Sequence, residues 1–359
     1  MSSTVYKCEG CGGVMEFDAK AQCLKCPNCG NSENVKSNDG IIEEHTLTID
    51  AKRSIKVEIK ETQTMECKGC GALIEVLGLE TAKKCPYCGS AYVLAEKQEE
   101  TLIPDGVVPF KIDKNDAHER FNTWMKKRLL APSELKNLYQ RGGFQSIYVP
   151  YWTFDAQASF DYTAEGGRDR TVTRTGADGK TYRKVVTDWY FTSGHIENFF
   201  DDIQVPASIR YKSGLFKGIE PFNLKQLLPY SPDYISGHLS ENYSVDLESG
   251  HRDAIGIMND GVRSMAESNV RRRYDRVRSV RLSGGYSNET YKYILIPVYS
   301  TTYNYKGKNY TVMINGQTGK VSGLYPYSIA KIVLIVIVLI IVFCLFMYLR
   351  SEEHTSELQ

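Results

Sequence analysis

A four-cysteine pattern occurs twice in the first hundred residues and limits what this chain can fold into more sharply than anything else in it. Cys8, Cys11, Cys26 and Cys29 form the first copy and Cys67, Cys70, Cys85 and Cys88 the second, both spaced C-x2-C-x14-C-x2-C. The copies also agree beyond their sulfurs: Gly10 with Gly69, Gly12 with Gly71, Glu16 with Glu75, Pro27 with Pro86 and Gly30 with Gly89. A Cys-x-x-Cys turn aims two sulfurs at one ion, and a second such turn returning from a hairpin completes a tetrahedral thiolate cage. One unit is therefore used twice.

Four thiolates leave no coordination position open, so an ion held this way organises the fold and catalyses nothing. Zinc is the expected ion, with two structural ions per chain; an iron-tetrathiolate electron carrier uses the same turns and is the alternative. Disulfides are a third use of paired cysteines. The start, Met1-Ser2-Ser3-Thr4, carries no apolar leader, so the thiols are expected to meet a reducing cytosol. Cys23 has no counterpart in the second copy and reads as a spare thiol.

At 359 residues the chain allows two or three units and a sizeable core. Its charge is uneven: residues 1–100 carry 12 Lys or Arg against 16 Asp or Glu, whereas residues 101–330 carry 30 against 24. Two thiolate cages make the first region more acidic still. Binding to a nucleic-acid backbone depends on phosphate neutralisation by Lys and Arg, so this acidic region suits a protein partner better.

Short strands are expected beside each cysteine turn, at Val14 to Phe17 and Leu73 to Val76, with a polar loop from Asn31 to Gly40. Ile55, Val57 and Ile59 alternate with charged residues as in a half-buried strand. Asp113 caps an expected helix from Lys114 to about Leu130, with Ala117, Phe121, Trp124 and Met125 on one face. Pro132 ends it, and Ser133 starts a shorter helix that stops at Gly142-Gly143. From Trp152 to Glu165 strict alternation predicts a long strand with one buried and one wet face. Asp178-Gly179 turns a hairpin between Arg170–Thr175 and Tyr182–Phe191. Further strands are expected over Tyr291 to Tyr305, Asn309 to Ile314 and Lys320 to Leu324. Helical segments around Asn223 to Leu228 and from about Val245 to Tyr274 lie between the two strand sets. The fold class is thus α+β, antiparallel, with an aromatic core.

From Ile332 to Leu349 the chain is apolar without a break, 18 residues or about 27 Å of helix. A transmembrane helix is expected over 329–349, with Lys331 snorkelling at one end and Cys344 an apolar filler. The ending, residues 350–359, looks like a translated sequencing adapter rather than natural sequence. A different C-terminus is therefore expected in the intact gene, with room for a second membrane helix after it. The expected division is 1–34 first ribbon, 35–62 linker with a strand, 63–100 second ribbon, 101–328 α+β domain, and then the helix.

Other motifs carry little. Gly316-Gln317-Thr318-Gly319-Lys320 has short glycine spacing and Val321 where a phosphate loop needs Ser or Thr, so it reads as a hairpin turn. His45, His118, His195, His238 and His251 are scattered without metalloprotease spacing, and no nucleophile elbow is present. No catalytic residue is assigned. Arg271, Arg272, Arg273, Arg276, Arg278 and Arg281 form a basic run in which Val270, Tyr274 and Val277 recur at helical spacing. It is expected to be a solvated helix face, with anionic lipid and then nucleic acid as other uses.

The whole pattern resembles a family of bacterial membrane proteins described as TFIIB-type zinc-ribbon-containing, some labelled primosomal or helicase-like. The resemblance is carried by the two four-cysteine units, by Val107 to Lys114, Tyr148 to Trp152, Tyr234 to Gly237 with Glu241, Tyr293 to Val298, and Asn315 to Lys320. It implies zinc ligation by all eight paired cysteines. It is also similar to ribbon proteins found beside phage-shock and SPFH-type membrane-stress proteins, which implies a recruiting role. The expectation is a non-enzymatic adaptor in the cell membrane, single-pass, its N-terminal domains cytoplasmic and its ribbons docking a protein partner. A TFIIB-like nucleic-acid-binding protein at the membrane is the alternative.

Overall fold

The structure, a computed structural model, describes residues 3–4, 6–35, 40–55, 62–66, 73–77, 80–84, 91–94, 102–132, 144–175, 180–209 and 214–356. In chain order its first strands are β1 (Ser3–Thr4), β2 (Glu16–Asp18), β3 (Cys23–Lys25), β4 (Ser32–Glu33) and β5 (His45–Thr46), followed by helix α1 (Ile49–Ser54). Next come β6 (Thr62–Glu66), β7 (Leu73–Leu77), β8 (Glu80–Lys84), β9 (Ala91–Leu94), β10 (Gly106–Val107) and helix α2 (Lys114–Lys126). The long strands β11 (Gln145–Thr175) and β12 (Thr181–Pro206) follow, then α3 (Gly214–Lys217), β13 (Leu228–Pro229), β14 (Leu239–Glu241) and the long helix α4 (Leu247–Arg271). The chain closes with β15 (Arg276–Tyr305), β16 (Lys308–Asn315), β17 (Val321–Gly323) and α5 (Ile329–Ser356).

Strand β11 is the spine of a twelve-stranded, mainly antiparallel sheet. At about 3.3 Å per residue its 31 residues reach roughly 100 Å. It pairs with β12 from Tyr151↔Pro206 to Thr175↔Thr181, which fixes the hairpin whose turn, at 176–179, lies outside the described residues. On its other side it pairs with β15 from Gln145↔Ser300 to Gly167↔Arg276. Bulges near Asp155 and Ala164 keep so long a ladder in register as it twists.

Helix α4 lies along one face of this sheet. Asp246 caps it by accepting from the Ser249 amide at 2.8 Å. Its buried stripe runs Leu247, Gly250, Ala254, Met258, Val262, Ala266, Val270 and meets Trp152, Phe154, Ala156, Ala158, Phe160, Tyr162 and Ala164 of β11. The small residues let the backbones approach: a methyl group on Gly250 would lie 2.6 Å from the Trp152 ring. Trp152 Nε1 donates to the Val245 carbonyl at 2.9 Å, which locks the start of the helix to the spine.

Several expectations are corrected. Helix α2 ends at Lys126, short of Leu130, although Asp113 caps it and forms a reciprocal box with Asp116. Thr153 and Asp155, expected wet, are 0 % and 2 % exposed, because other segments cover both faces of β11 there. The polar stretch after Asn31 contains strand β4, and the helical segment around Asn223 to Leu228 is a 3-10 turn at Leu224–Gln226, with Leu228 already in β13. Ile55 closes helix α1 rather than opening a strand, and 56–60 lie outside the described residues, as does the short helix expected from Ser133. The arginine run is not a helix face: α4 stops at Arg271, and Arg276, Arg278 and Arg281 stand on β15. There the Asp169 and Glu165 carboxylates accept from Arg276 and Arg278 at 2.9 and 2.6 Å, and Arg278 lies 3.9 Å above the Trp189 ring.

Helix α5 contains a stretch, Ile329–Met347, long and apolar enough to cross a membrane, and none of it is buried against the rest of the chain.

Candidate metal centre

Two tight turns build the site. In the first, the Gly12 amide donates to the Cys8 carbonyl at 2.8 Å and the Cys8 amide to Gly13 at 2.7 Å. In the second, the Gly30 amide donates to the Cys26 carbonyl at 2.9 Å and the Cys26 amide to Asn31 at 2.8 Å. Gly12 and Gly30 have φ of +70° and +78°, a conformation in which a side chain would be strained, so glycine is what allows each turn to close. Strands β2, β3 and β4 form a three-stranded sheet that holds the two turns face to face.

The result is a cluster in which the sulfurs of Cys8, Cys11, Cys26 and Cys29 all lie within 4.8 Å of one another. The Cys8–Cys29 and Cys11–Cys26 separations are 3.5 Å. A tetrahedral zinc with Zn–S of about 2.3 Å places its sulfurs about 3.8 Å apart, so the donor set fits a closed four-thiolate cage. Cys8 and Cys26 are buried while Cys11 and Cys29 reach solvent.

The surroundings favour thiolates. Burial raises the Cys8 pKa, but the amides of Cys11 and Gly10, with Cys29 and Asn31, outweigh it and hold the thiol at about 6. The Cys29 amide likewise lowers Cys26. Cys11 runs the other way. Although the Gly13 amide favours its thiolate, the adjoining Cys29 and Cys26 sulfurs push it up to about 12. Sulfurs this close share their protons, which a bound cation would replace.

This unit is not a free arm. Met15, Phe17, Leu24, Cys8 and Cys26 belong to one core cluster with Phe110, Phe121, Tyr148, Tyr234, Leu295 and Tyr299 of the large domain. The Phe17 amide donates to Ser236 at 3.0 Å, and Ser236 Oγ returns a bond to the Met15 carbonyl at 2.9 Å. Phe17 meets the Tyr234 ring edge-on at 5.2 Å. Gln22 Nε2 donates to the Phe110 carbonyl at 2.6 Å, and Lys20 bridges Asp113 and Asp116 at 3.0 and 3.3 Å.

The second cysteine set, Cys67, Cys70, Cys85 and Cys88, lies outside the described residues. Its flanking strands are described, and two of their pairings repeat the register of the first copy, whereas the pairing of β2 with β3 has no counterpart between β7 and β8 among the described residues. Leu24↔Glu33 and Lys25↔Ser32 have as counterparts Lys83↔Tyr92 and Lys84↔Ala91, and the bridge Lys7↔Val14 has Glu66↔Leu73. Strand β8 also pairs with β14, and β9 with β1, so this segment extends the edge of the large sheet.

One charged cluster escaped sequence reasoning. Lys292, 7 % exposed in its side chain, lies 2.8 Å from Asp202, 3.0 Å from Glu44 and 3.8 Å from Asp155. Burial alone would lower its pKa, yet Asp202 and Glu44 raise it, so the ammonium is charged. The carboxylates of Asp155, Asp201 and Asp202 lie within 4.8 Å of one another, and the ammonium supplies their cation. The sequence signal is slight: Lys292 stands between Tyr291 and Tyr293 at the start of the apolar run that continues to Val298. The histidines make local pairs, His45 with Asp105 at 2.7 Å, His195 with Asp161 at 2.8 Å and His251 with Glu289.

No family model matches the chain, and no solved structure matches it. A curated protein of Bacillus subtilis (strain 168), "Uncharacterized protein YdjG", is 29% identical over 332 residues, 91% of each chain. This chain is thus similar to that protein across nearly its whole length.

Proposed function

We propose that this protein is a membrane-anchored cytosolic adaptor with structural zinc, held by Cys8, Cys11, Cys26 and Cys29, and a second ion held by Cys67, Cys70, Cys85 and Cys88. The observation that carries the proposal is the closed four-sulfur cluster packed into the core of a domain that leads directly into an unburied apolar helix. An ion with four thiolate ligands has no position left for a substrate, so it supplies shape alone. The apolar helix, unburied among the described residues, crosses the bilayer.

What remains for binding is surface. The tips of the cysteine turns, Glu9, Gly10, Pro27 and Asn28, are exposed. Strand β12 has no partner on its outer edge among the described residues, and Phe191 and Phe199 stand 74% and 56% exposed on the face away from α4. An open strand edge beside exposed aromatic rings suits a protein partner that adds a strand. Nucleic acid gains no support, since Arg276 and Arg278 already neutralise carboxylates.

The test places a photocrosslinking residue at Asn28 or at Phe191 of the full chain in native membranes. A discrete crosslinked protein from the metal-loaded chain, lost in Cys8→Ser/Cys26→Ser, is expected. Absence of any discrete product at both positions contradicts the adaptor role.

A further inference from the structure

At the foot of helix α5 a cavity of about 950 Å³ opens between the β15–β16 turn and the segment from Tyr325 to Lys331. Among the described residues its charged lining is basic: Lys306 and Lys308 come from the turn and Lys331 from the first turn of the helix, and no described Asp or Glu lines the wall. No carboxylate among the described residues pairs with any of the three, whereas other lysines of the chain, such as Lys20 and Lys292, bridge two or three acids each. Tyr310, Tyr325 and Tyr327 supply amphipathic rings around them.

The cavity walls are fixed to the domain. The Ser328 amide donates to the Leu130 carbonyl at 2.8 Å, and Lys331 Nζ reaches the Ala131 carbonyl at 2.6 Å. Lys306 sits 5.4 Å from the Tyr305 ring and, like Lys308, is exposed toward solvent. Three ammonium groups around one hollow repel one another until an anion enters. Tyrosine rings at a membrane boundary settle at headgroup depth, where an anionic leaflet presents phosphate.

We propose that this cavity binds the phosphate headgroup of an anionic phospholipid. The domain is then oriented on the leaflet as well as tethered to it, with the turn at Lys306 facing the lipid. The site presupposes the membrane crossing proposed above.

The full chain is reconstituted into phosphatidylcholine vesicles carrying a trace of spin-labelled phosphatidylglycerol or spin-labelled phosphatidylcholine. Resistance to alkaline carbonate is read first, and a chain that washes off removes the membrane reading itself. For the inserted chain, phosphatidylglycerol is expected to associate about thirtyfold more strongly than phosphatidylcholine, as two interfacial lysines warrant. Lys306→Gln/Lys308→Gln removes most of that preference. Lys217→Gln/Lys225→Gln, which deletes the same charge elsewhere on the domain, keeps it. Equal association of the two lipids, or equal loss in both double variants, overturns the site. Excess glycerol phosphate leaves the lipid in place, whereas its displacement assigns the cavity to a soluble phosphate ester and overturns the lipid source.

Discussion

The amide of Phe17 donates to the carbonyl of Ser236 at 3.0 Å, and with that bond the hairpin between the two cysteine turns becomes part of the domain that leads into the apolar helix. Beside it, Gly237 has φ of +83° and faces Glu16 so closely that a methyl group would lie 2.6 Å from the Glu16 Cβ. Gly237→Ala is therefore expected to cost about 1–3 kcal/mol, from backbone strain and from opening the seam. Thermal unfolding checks the loss. A chromogenic chelator checks its second consequence, faster metal release, and unchanged release would mean that seam and cage are independent.

Lys292 carries the positive charge for Asp202, Asp155 and Glu44 in a covered site. Lys292→Met leaves those carboxylates uncompensated, at an expected cost of about 3–5 kcal/mol near neutral pH. Because the folded pKa of Lys292 is raised, its contribution is complete below the unfolded value and fades as pH rises through the folded one. Burial and the adjoining Asp202 and Asp155 raise Asp201, and in the variant Lys292 no longer opposes them, so acidification protonates Asp201 and returns part of the loss. Denaturant titrations at pH 7 and pH 5 measure both effects.

These two sites differ in how far the sequence reveals them. The cysteine turns are legible because ligand spacing is local: Cys8 and Cys11 are brought together by one turn of backbone. The long hairpin is legible because alternation from Trp152 onward survives to Ala164. Burial of Thr153 and Asp155 is not legible, since it depends on distant residues such as Glu44 and Asp202 covering that face. Nor is the docking of Phe17 on Tyr234, whose partners are far apart in the chain. The arginine run misleads because Val270, Tyr274 and Val277 straddle a helix end that no glycine or proline marks.

His251 donates to Glu289 across the start of α4 and strand β15, and that bond, ahead of the opposing burial, lowers the Glu289 pKa. A depressed carboxylate stabilises above its unfolded pKa and loses that contribution as pH falls through the folded one. Wild type is therefore expected to lose stability below about pH 4.5. Glu289→Gln begins about 1–3 kcal/mol less stable at pH 7 and shows a flatter acid limb. Melting curves from pH 7 to pH 3 make the comparison, and parallel profiles would contradict it.

Truncation before Ile329 removes the only helix, among the described residues, that is long and apolar enough to cross a membrane. The shortened chain is expected in the soluble fraction with its metal content unchanged, because the cysteine cluster packs on the domain and not on the helix. Fractionation followed by metal analysis reads both.

The most direct measurement is zinc content together with thermal unfolding of the detergent-solubilised full chain, before and after chelation, alongside Cys8→Ser/Cys26→Ser. The account predicts tightly held zinc that falls by one ion per chain in the variant. It also predicts an unfolding transition at markedly lower temperature once the metal is gone, because Cys8, Cys26 and Phe17 share the domain core. A chain that holds no metal at these cysteines, or that melts at the same temperature without it, would contradict the account.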